Sequence, residues 1–362
     1  MAAAAQASTS KHALVVGGAG FLGSAITKRL VSQGHTVTSI SRSGRPFLTP
    51  SGHRPAWSTS PRLKWRAADA HSPQSYRSIL AGEETGVPPV SAIVSTMGIL
   101  LEGNYKGSSS SLEGTAKALM KGWGVGGSNP LQEEGQGGGG PTYEQMNRDA
   151  ALSVASTWRE VLSSATSSQP LPPFVFISAE DIFRPIVDER YILTKRQAEQ
   201  GLRELSWVTQ QEAASSPSSS PGTADADGAG LDDELRQSRR QVFRSIAIRP
   251  GLMYHPHTRP LSTLPAALLD LSCAVHSSRL ASLLPATPAS VLAGVLGQQP
   301  LARLLTLSPL HIDTVAKAVS EAIMRDGLEG VVDTQGIKAL AGWKQSEAEV
   351  QSGRSAWAES RM

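Results

Sequence analysis

Two side chains suited to proton transfer stand four residues apart in the segment Tyr191-Ile192-Leu193-Thr194-Lys195. Positions i and i+4 of a helix share a face, so the Lys195 ammonium can favour the phenolate of Tyr191 and lower the tyrosine pKa towards a working pH. A tyrosine adjusted in this way can act as a general acid. The pair therefore predicts acid–base chemistry on a helix at residues 191–205.

Three glycines at a regular spacing could hold a phosphate. Gly17, Gly20 and Gly23 lie between an apolar strand and a helical pattern. Glycine is required there because a side chain would block the tight turn, the approach of a pyrophosphate to backbone N–H groups, and close packing of helix on strand. A second strand follows the helix. This order predicts a dinucleotide site, with Phe21 and Leu22 at the helix start among its contacts.

The end of the second strand bears on which dinucleotide is bound. NAD sites carry an acid there, about 20 residues into the motif, that binds the ribose. This chain has Ser41-Arg42-Ser43 instead, with no Asp or Glu nearby. A carboxylate would repel a 2′-phosphate, whereas a guanidinium flanked by hydroxyls can bind it through two hydrogen bonds. The segment predicts a preference for NADP(H) over NAD(H); the alternative is that Arg42 is a solvated loop residue.

The elements that must position these residues alternate between strands and helices. A strand, a helix and a second strand in succession form a βαβ unit, which implies a parallel sheet. The whole pattern predicts a doubly wound α/β fold. The predicted strands are residues 13–16, 36–40, 63–67, 92–96, 174–178 and 245–249, and the predicted helices are 21–33, 143–162 and 191–205.

Composition divides the chain further. Residues 102–141 and 213–240 are poor in apolar residues, so both are predicted to be surface insertions or disordered segments. After Gly251 the sequence changes to short Leu- and Ala-rich runs broken by proline, which predicts a small helical C-terminal lobe at 251–340. The expected organisation is a dinucleotide-binding domain at 12–250, this lobe, and a tail at 341–362.

Positive charge is concentrated at the beginning of the chain. The formal net charge is +3, yet residues 1–66 carry nine Lys or Arg and no Asp or Glu. Such an excess can indicate a targeting segment, a nucleic-acid arm or a site for an anionic ligand. The first strand begins too early to leave room for a clear presequence, and the cations do not follow one stripe, which argues against nucleic acid. Of the three explanations, a site for an anionic ligand remains, and we predict that this ligand is a phosphorylated cofactor.

Other chemistries have little support in the sequence. The eight histidines are scattered and the chain has a single cysteine, Cys273, so no metal site is predicted and an internal disulfide is excluded. No Gly-x-Ser-x-Gly elbow of the α/β-hydrolase type occurs. The sequence also lacks an uncharged apolar run of about 18 residues, which a membrane-spanning helix needs.

The order of the motifs resembles the extended and atypical short-chain dehydrogenase/reductase superfamily, over roughly residues 12–330 outside the two insertions. The resemblance implies a Rossmann-type fold, with Tyr191 as the general acid and Lys195 holding the cofactor ribose. It further implies that Asp69 contacts the adenine, that Thr96 and Gly98 pass beside the cofactor, that Asn147 is the helix asparagine, and that Arg249-Pro250-Gly251 lies near the nicotinamide.

The serine of this superfamily has a less direct match. Ser178 is the hydroxyl residue at the end of the strand at 174–178, but an alignment can also put Ala179 at the usual serine position. In that case Ser178 points in a different direction, because successive residues of a pleated strand alternate. Without the hydroxyl, polarisation of a carbonyl substrate is weakened. Ser178 is therefore predicted as an auxiliary catalytic residue, and its match bears on turnover rather than on cofactor binding.

Four segments carry a closer resemblance: Ser41-Arg42-Ser43-Gly44, residues 97–102, residues 143–147 and residues 191–199. They are similar to the fungal mitochondrial coenzyme Q-biosynthesis family related to the dehydrogenase-like accessory subunit of respiratory complex I. The resemblance implies a mitochondrial protein at the matrix face of the inner membrane, with other coenzyme Q biosynthesis proteins as partners. Two functions stay open: an NADPH-dependent oxidoreductase of ubiquinone synthesis, and a non-catalytic NADP(H)-binding subunit that stabilises an assembly.

The apolar stretch at 256–307 has two interpretations. It can be a helical cap that packs on the sheet. Alternatively, because residues 261–307 hold just three charged residues, it can be a contact surface for the membrane or a channel for a polyprenylated quinone precursor.

Overall fold

The computed structural model describes residues 10–83, 87–100, 141–164, 170–182, 184, 187–209, 239–256, 267, 269–270, 273 and 299–343. The predicted insertions at 102–141 and 213–240 lie almost wholly outside these residues. Most of the stretch at 256–307 and the tail after Trp343 also lie outside them. The predictions made for these segments therefore stay predictions.

A parallel sheet of seven strands forms the centre of the fold, and the predicted doubly wound α/β fold is confirmed. In chain order the strands of the described residues are β1 His12–Val16, β2 Thr36–Ser41, β3 Leu63–Ala67, β4 Ala92–Ser95, β5 Pro173–Ile177, β6 Trp207–Thr209, β7 Arg239–Gln241, β8 Arg244–Ile248, β9 Met253–Tyr254, β10 Leu310–His311 and β11 Gly330–Val332. The order in the main sheet is β11-β8-β5-β4-β1-β2-β3. Parallel strands have their carboxyl ends at one edge, where ligands bind in folds of this class.

The winding direction of the chain reverses between β1 and β4. From β1 the chain proceeds outward to β2 and β3, then returns to form β4 on the other side of β1. Such a switch point opens a crevice at the carboxyl ends of the strands. The glycine turn follows β1 and Thr96 follows β4, so both predicted cofactor segments lie at this crevice.

Helices cover both faces of the sheet, and strand residues alternate between the two layers. The helices of the described residues are α1 Phe21–Ser32, α2 Arg77–Ala81, α3 Ala150–Ser164, α4 Glu189–Leu205, α5 Gln299–Thr306, α6 Ile312–Met324 and α7 Thr334–Leu340, with a π-helical turn Glu144–Asp149 directly before α3. Val15 and Ile246 belong to one apolar cluster with α1, α6 and α7, whereas Leu14 and Phe174 belong to another with α2, α3 and α4. Strands that are apolar on both sides are expected in a sheet covered on two faces.

Two short strand pairs lie outside the main sheet. β6 pairs with β7 in an antiparallel manner. β9 pairs with β10 in a parallel manner, which places His311 opposite Tyr254. Within the described ranges, no helix combines the length and apolar character needed to cross a bilayer.

The predicted boundary at residue 251 differs from the structure. β11 pairs with β8 in the main sheet, and α6 packs against α1. The described residues 310–340 therefore belong to the α/β domain rather than to a separate helical lobe. The strand that closes this edge of the sheet, Gly330–Val332, has just three residues, too few to show a strand pattern in the sequence.

Candidate cofactor and active site

The glycine turn after β1 is a close-packed backbone bend. Gly17 has a φ of +83°, and its N–H donates to the Ile40 carbonyl at 2.9 Å. A Cβ at Gly23 would lie 2.2 Å from the Gly17 carbonyl oxygen, and one at Gly18 would lie 2.3 Å from Ser39 Oγ. The turn thus requires glycine at Gly18 as well, a position outside the predicted motif. Glycine is required at Gly18 because Ser39 of β2 lies beside it, and the sequence alone does not predict that contact.

The start of α1 is open to an anion. The helix begins at Phe21 after Gly20, which has no side chain to cap it, and its first turn contains no acid. The first amides of a helix lack partners within the helix and carry its positive dipole end, which attracts phosphate. Leu22 is buried in the core. Its backbone amide, rather than its side chain, is therefore the group that could face a phosphate.

The loop after β2 presents Arg42 to solvent. Ser41 Oγ and the Ser41 carbonyl both accept from the Gly44 N–H, each at 3.1 Å. Gly44 has a φ of +62°, and a Cβ there would lie 2.5 Å from the Ala67 nitrogen, so this turn also depends on glycine. Arg42 and Ser43 are exposed. In the described part of the chain, no carboxylate forms an ion pair with Arg42, which leaves its guanidinium available to a phosphate.

Asp69 follows β3 at the same edge of the sheet. One carboxylate oxygen accepts from the His71 N–H at 3.0 Å, and the Asp69 N–H donates to Ser75 Oγ at 3.0 Å. These bonds fix the turn that carries the half-buried carboxylate. The predicted contact of Asp69 with an adenine stays a prediction.

The segment after β4 joins the glycine turn to the helix that carries Tyr191 and Lys195. Thr96 Oγ1 lies 2.8 Å from the Val16 carbonyl and 3.2 Å from the Gly17 carbonyl, so it can donate to either. A Cβ at Gly98 would lie 2.7 Å from Lys195 Nζ and 2.8 Å from Asn147 Oδ1. Gly98, Asn147 and Lys195, which are far apart in the sequence, therefore meet at one point.

Asn147 holds this segment in place. Its side-chain amide accepts from the Ile99 N–H at 2.9 Å and donates to the Ile99 carbonyl at 3.1 Å. Asn147 belongs to the π-helical turn before α3 and is fully buried. The widened turn brings the amide into register with the backbone of residues 98–99, as is frequent for π-bulges at functional sites.

Lys195 is a buried base at the carboxyl ends of β4 and β5. Its Nζ donates to the Ile177 carbonyl at 2.9 Å and to the Met97 carbonyl at 3.2 Å, and it lies 4.8 Å from the centre of the Phe176 ring. Burial lowers the pKa of Lys195 to about 7, although the negative charge of Glu199 acts in the opposite direction. The side chain is therefore close to the midpoint of its titration at neutral pH.

Tyr191 lies one turn before Lys195 on α4 and packs edge-on against Tyr143, with ring centres 6.1 Å apart. Burial, with a smaller contribution from Tyr143, raises the pKa of Tyr191. This corrects the prediction that Lys195 lowers that pKa. The opposing positive charge is on Arg196, whereas the Lys195 amine is directed to the Met97 and Ile177 carbonyls.

Ser178 belongs to a buried ionic cluster. Its Oγ donates to Glu199 Oε1 at 2.5 Å, and Arg196 Nη1 lies 3.1 Å from the same Oγ and 2.7 Å from Glu199 Oε1. Arg249 binds both oxygens of Glu199, with its Nε 2.9 Å from Oε1. Although burial acts to raise it, the hydrogen bond from Arg249 and the charge of Arg196 lower the pKa of Glu199.

This arrangement does not support the predicted catalytic role of Ser178. Among the described residues, no hydrogen bond joins its hydroxyl to Tyr191. The next residue, Ala179, has no hydroxyl. Glu199 and Arg196 come from the same helix as Tyr191, and they are the site residues that the sequence pattern missed. The spacing of Glu199, four residues after Lys195 and three after Arg196, is the signal that could have placed it on the same side of the helix as those two side chains.

The Arg249-Pro250-Gly251 segment follows β8, next to the end of β5. The Pro250 carbonyl accepts from the Glu180 N–H at 3.0 Å, and Pro250 and Gly251 are buried. Burial raises the pKa of Glu180, whose carboxylate accepts from the Thr334 N–H at 3.4 Å. The segment is thus fixed between β5 and the start of α7, and its predicted contact with a nicotinamide stays a prediction.

Comparison with known proteins gives matches in sequence and in fold. The model of the NAD dependent epimerase/dehydratase family matches residues 13–80, which span β1 to α2. MIOREX complex component 2 of Saccharomyces cerevisiae is 30% identical over 271 residues, covering 72% of this chain and 80% of that protein.

Ligand-free aldohexose dehydrogenase of Thermoplasma acidophilum is 15% identical with a TM-score of 0.45, covering 93% of this chain and 98% of that one. A short-chain dehydrogenase/reductase family oxidoreductase from Burkholderia thailandensis is 13% identical with a TM-score of 0.47, covering 91% and 93%.

Proposed function

The chain belongs to the family of MIOREX complex component 2, and we propose that it is an NADPH-dependent oxidoreductase of the short-chain dehydrogenase/reductase type that acts in mitochondrial coenzyme Q biosynthesis. The yeast relative is named as a component of a complex, and this name supports the proposal that the present protein also acts within a multiprotein assembly. Other coenzyme Q biosynthesis proteins are the proposed partners, and the matrix face of the inner membrane is the proposed location. Both follow from the resemblance of the segments around Arg42, Met97, Tyr143 and Tyr191.

The observation that carries the proposal is the backbone cradle at the switch point. Side chains at Gly18 or Gly23 would collide with neighbouring atoms, and α1 presents its amide end beside them. Gly17, Gly20 and Gly23 with the amides of Phe21 and Leu22 would hold the pyrophosphate. A bound nicotinamide supplies the hydride for such a reaction.

The preference for NADP(H) rests on the loop after β2. Arg42 is exposed, and Ser41 and Ser43 flank it in a turn fixed by Gly44. A guanidinium in this place can bind a 2′-phosphate through charge-assisted hydrogen bonds, and no acid of the loop opposes it.

Tyr191 and Lys195 would carry the proton chemistry. Since burial raises its pKa, Tyr191 keeps its hydroxyl proton at neutral pH and can donate it to a carbonyl oxygen that is being reduced. Lys195, in its ammonium form, has three N–H donors, of which two are used by the Met97 and Ile177 carbonyls. The third is available to a ribose hydroxyl.

A second candidate function is a non-catalytic NADP(H)-binding subunit that stabilises the assembly. The observation that favours it is the position of Ser178, whose hydroxyl donates to Glu199. A carbonyl substrate would then lack the hydroxyl that orients it. The stretch at 256–307 remains proposed as a contact surface for membrane or quinone in either case.

Cofactor choice can be measured by titrating the purified protein with NADPH and NADH in a calorimeter. Arg42→Ala is expected to weaken NADPH binding by about 10- to 100-fold, since hydrogen bonds to charged groups contribute about 1.5 to 3 kcal/mol, and to leave NADH binding unchanged. Arg54→Ala, at another exposed arginine of the acid-free segment, is the matched control. Tighter binding of NADH than of NADPH by the wild-type protein would contradict the proposed preference.

Catalysis can be separated from assembly with Tyr191→Phe, which keeps the ring that packs on Tyr143 and removes the proton donor. The variant is expected to bind NADPH like the wild type and to fail to restore coenzyme Q in a deletion strain. Restoration to the wild-type level at equal protein amount would remove catalysis from the proposal and leave the non-catalytic function.

A further inference from the structure

A second group of chemically active side chains lies at the short β9–β10 pair, outside the residues assigned to the cofactor. We propose that His255, His311 and Asp313 bind a divalent transition-metal ion of the zinc class. This inference is independent of the proposed oxidoreductase function. The scattered histidines of the sequence predicted no metal site, because His255 and His311 are far apart along the chain and come together through strand pairing.

The fold brings the three residues to one point. His311 of β10 lies opposite Tyr254 of β9, and His255 is the next residue after that strand. The two imidazole rings are 5.0 Å apart between their centres, and Asp313 lies in the first turn of α6. One donor atom of each residue lies within 4.8 Å of those of the other two.

These separations suit a shared ion after small side-chain movements. Zinc binds imidazole nitrogen and carboxylate oxygen at about 2.0 to 2.2 Å, so two ligands of a tetrahedral site stand about 3.4 Å apart. A change of about 1 Å in each donor position therefore completes the site, and side-chain torsions can supply it. The exposed fractions of the side chains, 29% for His311 and 57% for Asp313, leave a path for the ion to enter.

The charges in the cluster also favour a cation. His311 Nδ1 accepts from the Asp313 N–H at 3.3 Å and lies 3.7 Å from Asp313 Oδ2. To bind the ion through Nδ1, His311 would exchange this long hydrogen bond for the metal, and the Asp313 carboxylate supplies the negative charge that attracts a cation to the cluster. The positive end of α6 disfavours a bare cation, but the Asp313 carboxylate offsets that charge.

The ligand set selects the class of metal. Two imidazoles and one carboxylate suit zinc and its neighbours in the first transition row, whereas magnesium and calcium prefer sites made of oxygen alone. Three protein ligands leave a coordination position for water, as in exchangeable rather than purely structural sites.

A metal here would fasten the segment after Pro250-Gly251 to the beginning of α6. The Leu310 N–H already donates to the Leu252 carbonyl at 2.8 Å, and β9 and β10 have just two residues each. An ion bound by His255 on one side and by His311 and Asp313 on the other would add a cross-link that this short pairing lacks.

The experiment is a zinc titration of the full-length protein after removal of metals with a chelator, followed by calorimetry and by competition with a chromophoric chelator. The wild-type protein is expected to bind one equivalent of Zn²⁺ that His255→Gln and Asp313→Asn each weaken by more than about 100-fold, since loss of an outer-shell partner alone costs 10- to 100-fold. His311→Asn tests the third ligand and keeps a residue that caps helices well.

The matched control is His53→Gln, which removes an exposed histidine elsewhere and is expected to leave the equivalent unchanged. Metal-free melting curves that match the wild type establish that each variant folds. Co²⁺ gives a second readout, because its visible absorption reports nitrogen and oxygen ligation and should disappear in His255→Gln. Absence of a zinc equivalent in the wild type, or an equivalent that survives in His255→Gln and His311→Asn, would overturn the proposal.

Discussion

Replacement of Lys195 by methionine is expected to remove a pH-dependent destabilisation of the nucleotide-free protein near neutral pH. Lys195 is 4% exposed and its amine lies beside the Phe176 ring. Burial lowers its pKa from 10.5 to about 7, so folding has to deprotonate or desolvate an amine that is charged in the unfolded chain. Methionine has a similar length and carries no charge, so this cost disappears.

The size of the effect follows from the pKa difference. At about 1.36 kcal/mol per pKa unit, burial of this amine costs on the order of 4 kcal/mol at pH 7. The variant leaves the Met97 and Ile177 carbonyls without the amine, and each unsatisfied group costs about 1 to 3 kcal/mol. Together the two carbonyls cost about 2 to 6 kcal/mol, which is comparable with the roughly 4 kcal/mol that is removed, so the free energy of unfolding of Lys195→Met at pH 7 is expected to lie within about 2 kcal/mol of the wild-type value.

The pH dependence gives the sharper test. Because the folded-state pKa of Lys195 is lower than the unfolded-state value, the unfolded chain binds more protons between about pH 7 and 10.5, and stability rises with pH across that window. From pH 7 to 9 this group alone contributes a rise of about 2 kcal/mol in the wild type. The pKa of Lys11 is also lowered by burial and gives a rise of the same sign. The difference between wild type and Lys195→Met isolates Lys195.

The assay is urea unfolding without nucleotide at pH 7 and at pH 9. Lys28→Met is the control, since Lys28 is exposed on α1. We expect the free energy of unfolding of Lys195→Met, taken relative to the wild type, to fall by about 2 kcal/mol from pH 7 to pH 9, and Lys28→Met to behave like the wild type. A constant difference at the two pH values would refute the argument, because Lys195 would then not be a desolvated base.

Two further predictions concern buried charges that hold the fold together. Glu199→Gln is expected to destabilise the protein by about 3 to 5 kcal/mol in urea unfolding, because Arg196 and Arg249 lose the carboxylate between them. Glu204→Gln, at an exposed position of the same helix, is the control, and an equal effect of the two substitutions would contradict the argument. Arg244→Met is expected to cost about 2 to 4 kcal/mol, because its guanidinium donates to the carbonyls of Leu171, of Ile323 at the end of α6 and of Leu328 just after it. Hydrogen exchange should show faster opening of α6, and unchanged exchange there would count against this role.

The parts of the fold that the sequence could predict are those with a local cause. Each of the strands β1 to β5 ends an apolar run or is bounded by turn residues. The predicted and observed ends of these strands differ by no more than one residue. The glycine turn after β1 was predictable because its requirement for small residues arises from its own backbone. Gly18 and Gly44 were missed because their neighbours, Ser39 and Ala67, come from adjacent strands.

The site residues that escaped prediction depend on long-range contacts. Ser178 was predicted as an auxiliary catalytic residue at the carboxyl end of a strand, but its hydroxyl is hydrogen-bonded to Glu199 and Arg196 of α4. Glu199 in turn binds Arg249 at the end of β8. Strand β11 was missed because three residues carry too little periodicity. Pairing with β8 determines its conformation, and no property of Gly330–Val332 alone does so.

The structure separates the features that support cofactor binding from those that bear on turnover. The cradle consists of backbone at the ends of β1 and β4 and is joined to Lys195 and Asn147 through Gly98. Among the residues that the structure describes, no hydrogen bond of the cradle involves Ser178, whose hydroxyl donates to Glu199 beside Arg196 and Arg249. Loss of the serine function would therefore leave the dinucleotide site intact. For that reason Arg42→Ala tests binding without touching the proton donor, and Tyr191→Phe tests turnover without touching the cradle.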